Sequence, residues 1–293
     1  MMKPLKNYIS RGIEYILHGV PERKITANIV CLQENYLLQN RTALITGGTS
    51  GIGFEIAKSF ASAGANVIIT GRNEKKLIRC CEELKYNHDE NLIIGKVMDN
   101  TDVKSFNAVF QDLCKRVGDK KIDILVNNAG ITGKSAFGNT EEEDFDHTMA
   151  TNLKGTFFLS QVVAKYMKQN HIEGNILNIA SSSSVRPASS AYTLSKWGVR
   201  GLTEGLAKSL IPYGIVVNGI APGPTATPML IRGGETDNIA HPRNPMGRYA
   251  MPQEIANMAV ILVSQMGRSI VGDIIYMTGG AGIITLDDVN YSF

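Results

Sequence analysis

Tyr192 and Lys196 have the residue types and the spacing that a proton-transfer site needs. They stand four residues apart, so in a helix they share one face. A free tyrosine has a pKa of ~10 and is a poor base at neutral pH. A nearby ammonium favours the phenolate and lowers that pKa, which is the tuning that general acid–base catalysis requires. An isolated pair of this kind is ordinarily plain helix surface, so its meaning depends on the motifs around it.

A glycine-rich run after the first predicted strand has the chemistry of a phosphate cradle. It follows the pattern TGxxxGxG and contains Gly47, Thr49, Ser50, Gly51, Ile52 and Gly53. Glycine lets the backbone turn tightly and approach a phosphate closely, and the N-terminus of the following helix favours a pyrophosphate. Tight turns use glycine too, but the order of strand, glycines and helix indicates dinucleotide binding.

Three further motifs complete a resemblance to the short-chain dehydrogenase/reductase family, and all five stand in the family's order and spacing. They are Asn127-Asn128-Ala129-Gly130 at the end of the fourth predicted strand, Asn152 at the head of Asn-Leu-Lys-Gly-Thr, and Pro222-Gly223 followed by Thr227. The resemblance covers about residues 41–282. Within the family the chain resembles 3-oxoacyl-ACP reductase-like and hydroxysteroid dehydrogenase-like members.

The resemblance implies a catalytic set made of Asn152, Ser181, Tyr192 and Lys196. In the family pattern the tyrosine is the general acid/base, and the lysine also binds the nicotinamide ribose hydroxyls. The serine holds the substrate oxygen by a hydrogen bond. The asparagine interrupts a helix and binds a water that relays protons to the lysine.

The catalytic serine has to be chosen from four consecutive serines, Ser181 to Ser184. Alignment from the end of the fifth predicted strand selects Ser181. Counting back from Tyr192 gives a shorter gap than in many relatives, which indicates a trimmed loop. Ser182 and Ser183 therefore remain alternatives.

The end of the second predicted strand bears on the choice between NADP(H) and NAD(H). An acid there would bond the ribose 2′-OH of NAD, but the chain has Gly71 and Arg72. An arginine can hold a 2′-phosphate with paired, charged hydrogen bonds, so we expect NADP(H). Alternatively, Arg72 merely starts a solvated helix, and Ser50 stands where many NADP-dependent relatives carry a second basic residue.

The resemblance also assigns residues along the rest of the cofactor. Asp99 matches the family's adenine contact, although it could equally cap the turn before the next helix. Thr225 and Thr227 could bond the carboxamide or the pyrophosphate. The remaining expected cofactor contacts are Asn100, Asn128, Ala129, Gly130, Tyr192, Lys196, Pro222 and Gly223.

Short apolar runs alternating with amphipathic stretches must position these residues. Strands are predicted at 42–46, 66–70, 92–98, 122–127, 175–180, 215–220 and 273–277, and helices at 53–63, 73–86, 103–117, 142–169, 192–211 and 252–262. Val- and Ile-rich strands separated by helices predict a parallel sheet covered on both faces. The expected fold class is α/β, a Rossmann-like doubly wound seven-stranded sheet in one domain, with its ligand crevice at the carboxyl ends of the strands.

Residues 1–40 precede this pattern as an amphipathic helical extension, and 41–293 form the catalytic domain. Within that domain, 229–251 is expected to be a mobile substrate lid, whose Arg232, Arg243 and Arg248 could meet an anionic substrate. The extension is expected to dock on its own domain or on a partner subunit, with membrane-surface binding the alternative.

Composition limits the classes of protein and of partner. Of the 293 residues, 43% are hydrophobic and 19% charged, which excludes a disordered chain. A formal net charge of +3 gives no argument for nucleic acid. No apolar run is long enough for a membrane span, and no metal array of Cys and His is evident. Four unpaired cysteines favour a cytoplasmic location.

The sequence therefore predicts an NADP(H)-dependent oxidoreductase that interconverts a ketone and a secondary alcohol by hydride transfer, with Tyr192 as general acid/base. One alternative is an NAD(H)-dependent hydroxysteroid, bile-acid or sugar-alcohol dehydrogenase. An alternative of another class is a dinucleotide sensor or scaffold without turnover. Relatives of this kind form dimers and tetramers, so the chain is expected to be a homo-oligomer.

Overall fold

The computed structural model describes residues 25–26, 36–88, 91–133, 137–228 and 238–284. Its strands are β1 (Thr42–Ile45), β2 (Asn66–Gly71), β3 (Ile93–Val97), β4 (Ile124–Asn127), β5 (Asn175–Ile179), β6 (Val216–Pro222) and β7 (Ile274–Met277). Its α-helices are α1 (Gly51–Ser62), α2 (Glu74–Asn87), α3 (Phe106–Arg116), α4 (Glu142–Met149), α5 (Gly155–Gln169), α6 (Ala191–Leu210) and α7 (Pro252–Val263).

The strands form one seven-stranded sheet in the order β3-β2-β1-β4-β5-β6-β7, and every neighbouring pair is parallel. Strand order reverses between β1 and β4, which is where a doubly wound sheet opens a ligand crevice. The predicted α/β fold class is confirmed.

Alternate residues of the central strands face two separate apolar layers, as the pleat requires. Ile45 and Ile69 point to the layer formed with α1 and α7, which includes Ile56, Phe60, Ile255 and Val260. Leu44 and Ile68 point to the layer formed with α3 and α5, which includes Phe106, Phe110, Leu159 and Val163. Burial on both faces explains why these strands read as unbroken apolar runs.

The predicted long helix at 142–169 is present, but it is interrupted. A π-helical segment, Ala150–Lys154, lies between α4 and α5. Helix α3 starts three residues later than predicted because residues 99–105 form hydrogen-bonded turns, with Asp102 and Ser105 donating to Asp99 and Asp102.

The N-terminal helix and the first part of the expected lid, 229–237, lie outside the described residues. Ile25 is described, and its backbone bonds to Asn238 Oδ1 and to Ile239 N at 3.4 and 3.3 Å. The second part of the lid is tied to the segment after β7: Asn244 Nδ2 donates to Thr278 O at 3.0 Å, and Met246 N to Gly279 O at 3.1 Å. No helix in the described part of the chain combines the length and apolarity needed to cross a bilayer.

Candidate active site

A cleft of about 500 Å³ opens at the carboxyl ends of the strands, on both sides of the reversal in strand order. It brings together almost all of the residues predicted for the site. Those that line it are Gly47, Thr49, Ser50, Gly51, Ile52, Arg72, Asp99, Asn100, Asn128, Ala129, Gly130, Ser181, Tyr192, Lys196, Pro222, Gly223, Thr225 and Thr227. Two predicted residues, Gly53 and Asn152, lie behind its wall.

The glycine-rich loop between β1 and α1 has a backbone that only glycine tolerates. Gly47 and Gly51 have φ values of +63° and +54°, in the left-handed region. Gly53 has no room for a side chain, because a Cβ there would lie 2.3 Å from Asn128 Nδ2 and 2.5 Å from Gly47 O. Gly53 is therefore a packing residue that allows the loop and the Asn128 side chain to meet.

Thr46 and Asn128 hold this loop against the end of β4. Thr46 Oγ1 accepts hydrogen bonds from Asn128 N and Ala129 N, both at 3.0 Å. Asn128 Nδ2 in turn donates to Thr46 O and Gly47 O at 3.0 and 3.2 Å. The Asn128 amide is thus committed to bracing the loop. Sequence reasoning assigned no role to Thr46, although its place directly before the first glycine was a usable signal.

The N-terminus of α1 is suited to an anion. Its N-cap, Ser50, makes no side-chain capping bond, and the first turn holds no acidic residue. The first amides of a helix have no intrahelical partner, and the helix dipole favours negative charge there. Together with the glycine backbone, these features fit a dinucleotide pyrophosphate.

The end of β2 places the positive charge of Arg72 at the cleft, as the sequence predicted. Arg72 is exposed at the edge of the cleft, and no acid stands beside it in sequence until Glu74. Burial disfavours ionised Asp99, but bonds from Thr101 N and Oγ1 at 2.8 and 2.9 Å, with the charges of Arg72 and His147, hold its pKa below the usual range. Asp99 thus faces the same corner of the cleft as Arg72 and also caps the following turn.

Tyr192 and Lys196 lie in the first two turns of α6. The helix starts at Ala191, and its N-cap Ser190 accepts a hydrogen bond from Thr193 N at 3.2 Å. Lys196 is buried, and its Nζ donates to Ile179 O at 2.8 Å and lies 5.9 Å from the Tyr192 ring centroid. The two side chains therefore share a face and point into the cleft beside the end of β5.

The prediction that the ammonium lowers the Tyr192 pKa is not met in this structure. Burial raises the pKa of Tyr192, and only the interaction with the Ser181 side chain acts in the other direction. Burial also lowers the pKa of Lys196 to about 8. Desolvation dominates because both groups are enclosed and the ammonium is directed at a backbone carbonyl.

Ser181 stands at the tip of β5, as the N-cap of a 3-10 turn over Ser182–Val185. Its Oγ accepts a hydrogen bond from Ser183 N at 3.1 Å. Ser184 Oγ donates to Ser181 O at 2.7 Å, and this hydrogen bond stabilises the turn. Ser182 and Ser183 also line the cleft, but the side-chain interaction with Tyr192 belongs to Ser181.

Asn152 sits in the π-helical segment, so the helix interruption that the resemblance implies is present. Its side chain is 1% exposed and fully bonded. Oδ1 accepts from Ile131 N at 2.8 Å, while Nδ2 donates to Ile131 O at 2.9 Å and to Ser195 Oγ at 3.0 Å. A π-bulge often marks a functional site. Here it joins the loop after β4, at Ile131, to the helix that carries Lys196.

Two of the arginines that could have met an anionic substrate, Arg243 and Arg248, are described, and neither lines the cleft. Arg248 forms a two-bond ion pair with Glu254 at 2.8 and 2.9 Å, so that expectation was wrong. Arg243 is exposed and does not line the cleft, and Arg232 lies outside the described residues. Instead, Arg186 lines the cleft beside Ser181 to Ser183. Sequence reasoning missed it because no motif covers its position.

Most of this chain aligns with a known family model and with known proteins. Residues 47–282 match a family model described as enoyl-(acyl carrier protein) reductase. The chain is 36% identical over 250 residues to a 3alpha-hydroxysteroid dehydrogenase of Mediterraneibacter gnavus, covering 84% of this chain and 98% of that protein. It is 36% identical over 251 residues to the 3-oxoacyl-[acyl-carrier-protein] reductase FabG of Aquifex aeolicus, covering 83% and 98%.

A solved structure has a similar overall fold. The short-chain dehydrogenase from Burkholderia cenocepacia in complex with NADP has a TM-score of 0.73 and 31% identity, and the match covers 83% of this chain and 98% of that one. The two relatives are named as a dehydrogenase of a hydroxysteroid and a reductase of a 3-oxoacyl group, and the solved structure contains NADP. This oxidoreductase belongs to the short-chain dehydrogenase/reductase family.

Proposed function

We propose that the protein is an NADP(H)-dependent oxidoreductase that interconverts a ketone and a secondary alcohol, with Tyr192 as the general acid/base. The observation that carries the proposal is that Ser181, Tyr192 and Lys196 line the same cleft as the glycine-rich loop. A dinucleotide sensor needs the loop but has no use for a buried tyrosine and lysine beside a serine, which argues against the non-catalytic alternative.

The cofactor's place follows from the features of the cleft. Gly47, Gly51 and the first turn of α1 would hold the pyrophosphate, and Asp99 would face the adenine. Lys196 would bind the nicotinamide ribose, and Pro222 and Gly223 would shape the nicotinamide pocket. When bound, the nicotinamide ring supplies a hydride to the carbonyl carbon, or accepts one from the carbinol carbon.

The protein's own groups handle the oxygen and its proton. Ser181 Oγ and the Tyr192 hydroxyl would both bond the substrate oxygen, which aligns the reacting carbon. In reduction the Tyr192 O–H donates its proton to the developing alkoxide, and in oxidation the tyrosine oxygen takes the alcohol proton. With a pKa of about 8, Lys196 is mostly protonated at neutral pH, so its ammonium would hold the nicotinamide ribose rather than lower the Tyr192 pKa.

Asn152 is a positioning residue in this scheme. Its side-chain bonds tie Ile131, after Gly130, to Ser195, next to Lys196. The position that a Cβ of Gly130 would occupy is 3.3 Å from Asn152 Oδ1 and 3.7 Å from Lys196 Nζ. The asparagine thus keeps the lysine and the floor of the cleft in register.

NADP(H) is favoured over NAD(H) by charge at the end of β2. A carboxylate there would repel a 2′-phosphate, whereas Arg72 attracts one. The related structure from Burkholderia cenocepacia contains NADP. One observation argues against NADP(H): the Arg72 charge helps to lower the Asp99 pKa, so a carboxylate lies near the place where a 2′-phosphate would bind.

The decisive experiment measures the absorbance change as NADPH or NADH is varied in concentration, with a panel of carbonyl substrates. The panel holds a 3-oxoacyl thioester, a 3-oxo steroid or bile acid, and a keto sugar acid. We expect turnover of at least one ketone, with the higher kcat/KM for NADPH. Tight NADPH binding without turnover of any carbonyl would favour the sensor, and a preference for NADH would favour the NAD-dependent alternative.

We further propose that the enzyme is a cytoplasmic homo-oligomer whose catalytic domain spans 41–293. Large apolar side chains on α5 and α6 are partly exposed, with Phe157 at 44%, Phe158 at 38% and Trp197 at 42%. Cys80, Cys81 and Cys114 are free thiols, in keeping with a reducing compartment. Sedimentation of the full chain is expected to give a dimer or tetramer. A chain lacking residues 1–35, which keeps the buried Leu38 of the domain core, tests whether the extension contributes to it.

A further inference from the structure

Arg186 is a charged residue of the cleft whose charge nothing in the described structure balances. Of the described residues that line the cleft, the charged ones are Arg72, Asp99, Arg186 and Lys196. Asp99 is near Arg72, and Lys196 donates to Ile179 O. Among the described residues the Arg186 guanidinium forms no ion pair, and its Nε is shielded from solvent and has no hydrogen-bond partner there.

The position of Arg186 is nevertheless well defined. Its carbonyl oxygen accepts a hydrogen bond from Trp197 Nε1 at 2.8 Å, and its N–H donates to Ser183 O at 3.3 Å. The guanidinium lies against Gly282, where a Cβ would be 2.5 Å from Nε and 2.8 Å from Nη2. The lack of a side chain at Gly282 makes the space that the guanidinium occupies.

An unsatisfied, enclosed donor is costly, and native proteins contain few of them. Nε itself is closed to solvent, so a ligand in the cleft would bind the guanidinium through its terminal nitrogens and offset this cost. The guanidinium is a planar fork of donors that matches the oxygens of a carboxylate or a phosphate. The chemistry of Arg186 therefore selects an anionic group.

The place of Arg186 in the cleft indicates that the anionic group it binds is part of the substrate and not of the dinucleotide. The dinucleotide phosphates are assigned to the loop at Gly47 to Gly53 and to Arg72. Arg186 instead follows Ser181 by five residues and precedes Tyr192 by six, and all three line the cleft. Ser183 links the two positions, because its carbonyl accepts a hydrogen bond from Arg186 N and its N–H donates to Ser181 Oγ. A group bound at Arg186 therefore lies at the end of the cleft where the carbonyl would react.

We propose that Arg186 is a specificity-determining residue that binds a carboxylate or phosphate group of the substrate, a few atoms from the reacting carbonyl. The inference rests on the proposed oxidoreductase function and narrows its substrate class to anionic ketones and alcohols. It replaces the role that the sequence suggested for the lid arginines, of which Arg248 is paired with Glu254.

The test compares ketones that differ in charge, reduced with NADPH. One set is acetoacetate, levulinate and 5-oxohexanoate against their methyl esters, and the other is dihydroxyacetone phosphate against dihydroxyacetone. We expect the wild type to prefer the charged member of at least one pair by tenfold or more. Arg186→Met is expected to lower kcat/KM for that member by about tenfold to a hundredfold, the range for a lost charged hydrogen bond. For the neutral member the change stays below threefold.

Further variants separate recognition from a structural effect. Arg186→Lys keeps the charge but not the fork, so it is expected to retain part of the preference. Arg79→Met, an exposed arginine of α2 outside both the cleft and the lid, is the matched control and leaves all constants unchanged. The Kd for NADPH stays the same in every variant. Calorimetric titration of levulinate and dihydroxyacetone phosphate into NADP⁺-loaded protein measures the anion contact without turnover.

The outcomes are distinct. Equal loss for charged and neutral ketones in Arg186→Met, or wild-type protein that neither prefers nor binds either anion, overturns the assignment of Arg186. Neutral ketones reduced without any preference for charge would leave the oxidoreductase function standing while rejecting this inference. Absence of reduction of every ketone, with anion binding lost in Arg186→Met, would reject the proposed reaction but support the anion site. If the preference appears among the keto acids and their esters, the anion is a carboxylate; if it appears between dihydroxyacetone phosphate and dihydroxyacetone, the anion is a phosphate.

Discussion

The two ends of the cleft use different parts of the chain. At the nucleotide end the backbone forms most of the binding site. Gly47 and Gly51 adopt left-handed conformations, and the first turn of α1 has no side-chain cap and no acidic residue. At the reacting end buried side chains matter, and burial shifts the pKa values of both Tyr192 and Lys196. The first end is therefore sensitive to an added methyl group, and the second to a change of one functional group.

Tyr192→Phe tests the second half of this comparison and should have the largest effect. It removes the hydroxyl that moves the proton but keeps the ring, so kcat is expected to fall by about 10²–10⁴-fold. NADPH affinity should stay within twofold. Steady-state kinetics and nucleotide fluorescence measure the two quantities. Tyr213→Phe, far from the cleft lining, is the control, and full activity in Tyr192→Phe would show that the mechanism is wrong.

Gly53→Ala tests the first half. Its new Cβ would meet Asn128 Nδ2 at 2.3 Å and Gly47 O at 2.5 Å, so the loop must shift. We expect NADPH affinity to fall by about a hundredfold, the cost of an overpacked site at about 1–3 kcal/mol. Fluorescence titration measures it. Gly205→Ala on α6 has no neighbour within 4 Å and is expected to stabilise the fold slightly; equal affinity in both variants would contradict the cradle geometry.

Lys196→Met tests, through the free energy of unfolding, whether burial controls the groups at the reacting end. In the folded protein the pKa of Lys196 is about 8, and its ordinary value is 10.5. Below pH 8 both states hold the proton, and burial of the charge carries its full cost. Between the two values the folded state releases its proton first, so wild-type stability from this group rises with pH.

At pH 7 the Lys196→Met variant should therefore be the more stable by up to about 3 kcal/mol, since one pKa unit corresponds to about 1.4 kcal/mol. The lost bond to Ile179 O reduces this gain. The difference from wild type should shrink as pH approaches 10.5. Urea unfolding at pH 7 and pH 9.5 measures it, with the exposed Lys208→Met as control. A difference independent of pH would show that Lys196 is not desolvated.

Arg72→Ser should have the smallest effect, because Arg72 is exposed and solvent screens its charge. We expect NADPH affinity to fall about tenfold, the lower end for a charged hydrogen bond, and NADH affinity to stay unchanged. Raising the salt concentration should reduce the difference. The control is Arg79→Ser, an exposed arginine of α2 outside the cleft lining. Equal losses for both nucleotides would remove the basis for NADP specificity.

Much of the fold and most of the cleft could be predicted from sequence because their signals are local. Apolar runs and helical periodicity located all seven strands to within about two residues at most ends, as expected for elements whose patterning is strong. The glycine loop and the Tyr192–Lys196 spacing are short motifs, and parallel strands bring their carboxyl ends to one edge whatever the details of the loops.

Other features arise only when distant segments meet. The bracing of the loop by Thr46 and Asn128, and the tie from Asn152 to Ile131 and Ser195, join residues far apart in the chain. The unpaired guanidinium of Arg186 was likewise invisible in the sequence. Arg248 and Glu254 are only six residues apart, yet no motif predicted their pairing.

The sequence by itself determined the sheet, the order of the motifs and the type of chemistry, because these depend on residue type and short spacing. Tertiary structure alone decided which arginine faces the cleft and in which direction the pKa values of Tyr192 and Lys196 move. The physical reason is that desolvation and charge pairing depend on everything that packs around a group, and most of those neighbours come from other parts of the chain.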